Sequence, residues 1–212
     1  VYKRQNSFLV NSNGCGFTNM RLLIMGPPGA GKGTQAERIK NQLKIAHIST
    51  GSLLRKEIRS NSDIGSIAKK LIDKGRLAPD SILLKVIQSR LSKPDCRDGY
   101  ILDGFPRTIS QAIGLENIMQ KSSLDLDFAI NLEAEENELV ERLIKRGKDS
   151  GRSDDKIDII RKRQKIYWEE TAPLLDFYNK RGLLITIDGL GEIDIITKRI
   201  FTVSYTHLRA HE

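Results

Sequence analysis

From residue 20 to about residue 201, short apolar runs alternate with longer segments in which apolar side chains return every three or four positions. The runs predict strands over 20–25, 46–48, 100–103, 127–132 and 183–188. The periodic segments predict helices over 32–43, 51–60, 64–74, 80–91, 109–121, 134–146, 154–178 and from 192 to about 201. Pro173 is expected to end or kink the longest helix, because it lacks an N–H and crowds the preceding turn. Strand–helix alternation of this kind implies an α/β fold, a mostly parallel sheet covered by helices on both faces. Residues 1–19 and 202–212 show no clear period and are expected to be non-native or disordered extensions of a domain spanning 20–201.

Composition narrows the field. The chain has 212 residues, 39% of them hydrophobic, which excludes a disordered chain. No apolar stretch approaches the roughly 18 residues of a membrane span, and no signal peptide is visible, so a cytoplasmic protein with no membrane partner is expected. The two cysteines, Cys15 and Cys96, have no metal-binding spacing. A net charge of +8 admits nucleic acid or phosphate-rich small molecules as partners. Low aromatic content and the lack of a basic run argue against nucleic acid.

The strongest motif is Gly26-Pro27-Pro28-Gly29-Ala30-Gly31-Lys32-Gly33-Thr34, which follows a predicted strand and opens a predicted helix. Glycines let successive backbone N–H groups wind around an anion, and the helix adds the positive end of its dipole. Lys32 supplies a point charge for the outer phosphates. Gly33 stands where related loops place Ser or Thr, so direct hydroxyl ligation of Mg²⁺ there is impossible. Thr34 is left to contact a phosphate or a metal-bound water. Asp103 ends a buried apolar run and is the candidate to hold Mg²⁺ through water.

Two further segments describe a second phosphate seat. Ile48-Ser49-Thr50-Gly51-Ser52-Leu53-Leu54-Arg55 sets a hydroxyl and a guanidinium near a helix start. Gly104-Phe105-Pro106-Arg107-Thr108-Ile109-Ser110-Gln111 sets a second guanidinium at a Gly/Pro turn, with an amide four residues on. Arginine pairs bidentately with phosphate, and glutamine with an adenine edge. Arg142 and Arg146 lie at i and i+4 off the apolar stripe of their helix; Arg142 is expected to pair with Glu138.

With these motifs in order, together with Gly151-Arg152-Ser153-Asp154-Asp155 and the segment from Asp188 to Gly191, residues 20 to about 201 resemble the adenylate kinase family of nucleoside monophosphate kinases. The resemblance implies a P-loop NTPase-like fold with five parallel strands, a small NMP-binding insert at 49–78 and a short lid at 147–154. It implies reversible transfer of the terminal phosphoryl group of Mg-ATP to AMP, giving two ADP. Gly29, Ala30, Gly31, Lys32, Gly33 and Thr34 would hold ATP phosphates, with Arg146 closing over them and the Gly191 backbone against the adenine. Thr50, Arg55, Arg76, Leu77, Ala78, Gly104, Phe105, Pro106, Arg107 and Gln111 would form the AMP site. Arg152 and Arg163 would clamp the transferring group at its AMP side. The lid is too short for a zinc site, none is expected, and the resemblance favours a monomer. Ser52 departs from the family, which usually has Asp there; it reads as a changed helix-start hydrogen bond.

The acceptor is already an anion, so no general base is required, and His47 reads as structural with no histidine near a motif. The nearest rival is a UMP/CMP kinase; Thr50, Thr108 and Gln111 favour AMP. A nucleic-acid-binding protein and a silent nucleotide sensor are the rivals from other classes.

Overall fold

The computed structural model describes residues 19–150 and 153–210. Five strands, β1 (Arg21–Met25), β2 (Ala46–Ser49), β3 (Tyr100–Asp103), β4 (Phe128–Glu133) and β5 (Leu184–Asp188), form one sheet in the order β2-β3-β1-β4-β5. Every pairing is parallel, with Leu22 opposite Ile101 on one side and Phe128 on the other. Parallel strands need crossovers, and the intervening helices supply them.

Side-chain alternation along the central strand explains why both faces are covered. Leu23 and Met25 point into a core shared with Leu54, Leu83, Ile87, Leu115 and Leu174. Leu22 and Ile24 point into the opposite core, with Ala36, Ile39, Leu139, Ile196 and Ile200. A strand apolar at four successive positions, Leu22 through Met25, is what a sheet buried on both sides requires. Helices α1 (Lys32–Leu43), α6 (Glu136–Ser150) and α9 (Ile193–Ala210) bring residues to the second core; α4 (Asp80–Leu91), α5 (Ile109–Gln120) and α8 (Pro173–Asn179) bring residues to the first. Helices α2 (Thr50–Arg59) and α3 (Asp63–Ile72) form the insert between β2 and α4.

Three expectations need correction. The expected helix 154–178 is α7 (Ile157–Ile166), a π-helical turn over Tyr167–Thr171, and α8, which Pro173 opens. The widened turn, with Ala172 N–H bonded to the Tyr167 carbonyl at 2.8 Å, absorbs the bond and the space that Pro173 denies. Helix α6 continues past Arg146 through Ser150, so half of the expected lid is helix. Helix α9 continues to Ala210, so 202–210 is not an irregular tail. Its buried stripe runs Ile196, Ile200, Ser204, and Ser204, only 4% exposed, carries the period in a polar residue.

Candidate active site

The strands are parallel, so their C-terminal ends lie at one edge of the sheet, where crevices of such folds open. A cleft of about 750 Å³ opens there. Residues 26–34 leave β1 and wrap into α1. Gly29 (φ +94°) and Gly31 (φ +85°) sit in the left-handed region, and a Cβ on Gly29 would stand 2.8 Å from the Leu139 carbonyl oxygen. Only glycine permits that path. All six residues expected to hold ATP phosphates, Gly29 through Thr34, line the cleft, and so does Gly191 after β5.

Lys32 does not reach into open space. Its Nζ donates to the carbonyls of Gly26 at 2.6 Å and Pro27 at 2.8 Å. Burial pulls its pKa down to about 7; Asp103 opposes that, while Arg107, Arg163 and Arg146 add to it. Desolvation outweighs the nearby carboxylate, so the ammonium is the disfavoured form of Lys32 in this setting.

The acceptor side is built from β2, β3 and the insert. Thr50, Arg55, Arg76, Leu77, Ala78, Gly104, Pro106 and Arg107 line the same cleft. The Thr50 hydroxyl donates to the Gly104 carbonyl at 2.8 Å, and Arg107 Nε donates to the same oxygen at 2.8 Å, so the turn after β3 is tied to the start of α2. Burial and the nearby Arg163 lower the Arg107 pKa to about 10, which leaves it a cation at neutral pH.

Two expected acceptor residues lie elsewhere. Phe105 is 2% exposed and belongs to the core under the turn. Gln111 is fully buried; its Oε1 accepts from the Arg107 backbone N–H at 2.8 Å and its Nε2 donates to Asp80 at 2.7 Å. It braces the turn instead of lining the cleft. Ser52 is not the helix cap: Ser49 occupies that position, and Ser52 lies inside α2, accepting from Arg55 at 3.4 Å.

Arg146 and Arg163 reach the cleft from α6 and α7. Asp155, its side chain wholly buried, accepts Arg146 bidentately at 2.7 Å and 2.7 Å and Arg163 at 2.9 Å. Asp154 holds Arg163 at 2.9 Å. Arg152 lies outside the described residues. These carboxylates stand within the quoted motif, but only the fold shows that they hold the arginines in place. Arg142 pairs with Glu138 at 3.3 Å, as expected, and also borders the cleft.

His47, structural on the sequence reading, stands beside Asp103. Its Nε2 lies 3.5 Å from Asp103 Oδ2, a contact that becomes an ion pair when the ring is protonated, and its Nδ1 lies 3.1 Å from Glu37. Parallel pairing of β2 with β3 sets His47 opposite Ile101 and Ser49 opposite Asp103, a neighbourhood that register alone decides. Asp103 raises the His47 pKa, burial opposes it, and Glu37 adds to the rise. Burial alone would raise the Asp103 pKa; His47 and Lys32 outweigh it and hold the carboxyl ionised.

Asp103 also fits a hydrated Mg²⁺. Its Oδ2 lies 3.6 Å from where a Gly33 Cβ would stand, so the carboxylate faces the phosphate loop across a space no side chain fills. Mg²⁺ needs only one or two carboxylates when phosphates and waters complete its shell. No cluster of three or more acidic, histidine or cysteine ligands exists among the described residues.

The family profile described as Adenylate kinase matches residues 24–183. An adenylate kinase of Stenotrophomonas maltophilia (strain K279a) is 47% identical over 181 residues, 85% of this chain and 97% of that protein. Those of Clavibacter michiganensis subsp. michiganensis (strain NCPPB 382) and Kocuria rhizophila are 46% and 44% identical over 180 residues, again 85% of this chain and 90% and 96% of theirs. A family profile covering residues 24–183 and relatives 44–47% identical over 85% of the chain establish that the protein belongs to the adenylate kinase family.

Proposed function

We propose that residues 29–34 seat the phosphates of ATP, that the turn 104–107 with Thr50 and Arg55 seats AMP, and that Arg146, Arg152 and Arg163 neutralise the phosphoryl group passing between them. The family transfers the terminal phosphoryl group of ATP to AMP, giving two ADP. An AMP phosphate oxygen forms a bond to the γ-phosphorus as the bond from that phosphorus to the β–γ bridging oxygen breaks. The nucleophile is already anionic, so no proton has to be removed. The protein's contribution is alignment and charge.

Lys32 exchanges its loop carbonyls for the outer phosphates of ATP. Arg107 and Arg55 take the phosphate of AMP, with Gln111 and Asp80 fixing the turn beneath. Asp103 would hold Mg²⁺ through water, and the ion would supply charge neutralisation at the outer phosphates. The Gly191 backbone lies against the donor base, and Arg76, Leu77 and Ala78 border the acceptor nucleotide. One chain supplies every residue named here, so the reaction needs no second copy, and a monomer is the expected form. No described helix is long and apolar enough to cross a membrane.

The observation that carries this reading is that Lys32 and Arg107, 75 positions apart in the chain, border one cleft. The test is ADP formation from ATP with AMP, dAMP, UMP or CMP as acceptor. AMP is expected to be preferred. Equal or faster turnover with UMP or CMP would contradict the acceptor assignment, and no ADP with any of them would make the protein a binder only.

A further inference from the structure

Three successive carbonyls of the phosphate loop each receive a donor. Lys32 Nζ serves Gly26 and Pro27, and the Ala30 N–H also reaches the Pro27 oxygen at 3.2 Å. The third, on Pro28, receives Nε2 of Gln164 at 3.0 Å, from another element altogether. Gln164 lies on α7 directly after Arg163 and is 2% exposed. Its Oε1 is buried with no hydrogen-bond partner among the described residues. An idle buried amide oxygen destabilises, and an apolar side chain of the same size would pack there without that penalty. A local rule broken in this way marks functional positions.

The consequence appears when ATP arrives. Lys32 cannot reach the outer phosphates while its ammonium sits on Gly26 and Pro27, so that pair of bonds must break. The Gln164 bond to Pro28 does not involve the nucleotide and survives the exchange. We infer that Gln164 is a positioning residue: its amide holds the phosphate loop in its binding shape while Lys32 moves, and it keeps Arg163, its chain neighbour, in register with that loop. The inference rests on reading residues 29–34 as the ATP seat.

Gln164→Leu and Gln164→Met both remove the donor and keep the bulk. Initial rates with ATP and AMP varied in turn, and melting curves without nucleotide, separate positioning from packing. The kcat/KM for ATP is expected to fall about two- to tenfold, the range one hydrogen bond commands. The KM for AMP should hold steady, and the melting temperature should change little, because loss of the Pro28 bond and removal of the idle Oε1 offset one another. Wild-type kcat/KM for ATP in both variants would overturn the inference. So would equal losses for both nucleotides with a lower melting temperature, which would make Gln164 a packing residue. Lys32→Met run alongside tells the two readings apart. If it loses turnover while the Gln164 variants behave as wild type, only this inference fails; if it keeps turnover, the seat itself is misassigned.

Discussion

The phosphate loop and the arginine clamp border one cleft, yet they hold their cations differently. The loop stores Lys32 on its own backbone carbonyls, where desolvation drags the ammonium towards neutrality. Arg146 and Arg163 rest instead on carboxylates that compensate their charge, Asp154 at the edge of the cleft and Asp155 wholly buried. On the proposed reading, a triphosphate would add counter-charge at the first site and would compete with carboxylates already in place at the second. The first arrangement would then favour tight seating of the donor, and the second a clamp that closes only on a more highly charged partner, as a phosphoryl group in transfer is.

Substitutions can break this contrast. The largest effect is expected from Lys32→Met, which should lower kcat by roughly 10²–10³, the scale of losing one aimed cation or donor, with circular dichroism unchanged. A folded variant with near-normal turnover would remove Lys32 from the chemistry. Next, Arg107→Ala should raise the KM for AMP about tenfold or more while the KM for ATP moves little, since a charge-assisted contact to one substrate is lost. Equal shifts for both nucleotides would merge the two seats.

Asp155→Asn probes the clamp directly. Asp155 is wholly buried between two guanidinium groups, and weakening that network should destabilise the nucleotide-free protein by about 1–3 kcal/mol. If the carboxylate competes with phosphate, ATP and AMP together should recover more melting temperature in the variant than in the wild type. A smaller recovery would mean that Asp155 assists binding.

The smallest effect is a proton. Lys32 has a pKa near 7 when its site holds no phosphate, against 10.5 in the unfolded chain. The unfolded chain therefore binds more protons between about pH 7 and 10.5, and this group makes nucleotide-free stability rise with pH across that window. Its penalty is complete below about pH 7. Phosphate binding should restore the ammonium, so calorimetry at pH 8 in buffers of different ionisation enthalpy should show uptake approaching about one proton per ATP. Lys32→Met should abolish it; uptake that persists in that variant would assign the proton elsewhere.

These contrasts also explain what the sequence makes legible. The phosphate loop depends on backbone conformation, and glycines with a lysine at fixed spacing announce that conformation wherever they occur. All six of its expected contacts line the cleft. The strands were equally readable, because a sheet buried on both faces leaves uninterrupted apolar runs. Asp154 and Asp155 stood inside a quoted motif without a role, since their partners on α6 and α7 meet them only in the folded chain. The sequence sets His47 apart from the chemistry, because strand register, which places it beside Asp103, has no local signal. The sequence suggests that Gln111 faces a base, yet it lies under the turn, bonded to Asp80, a partner 31 positions earlier. Ser204 hid the last turns of α9 by occupying a buried position with a hydroxyl.

Whether ATP and AMP sit end to end in a single cleft is decided by calorimetric titration with two adenosines joined through five phosphates. The account predicts one molecule bound per chain, displaced by ATP and by AMP, with affinity lost in both Lys32→Met and Arg107→Ala. Two molecules per chain, or binding indifferent to either substitution, would contradict it.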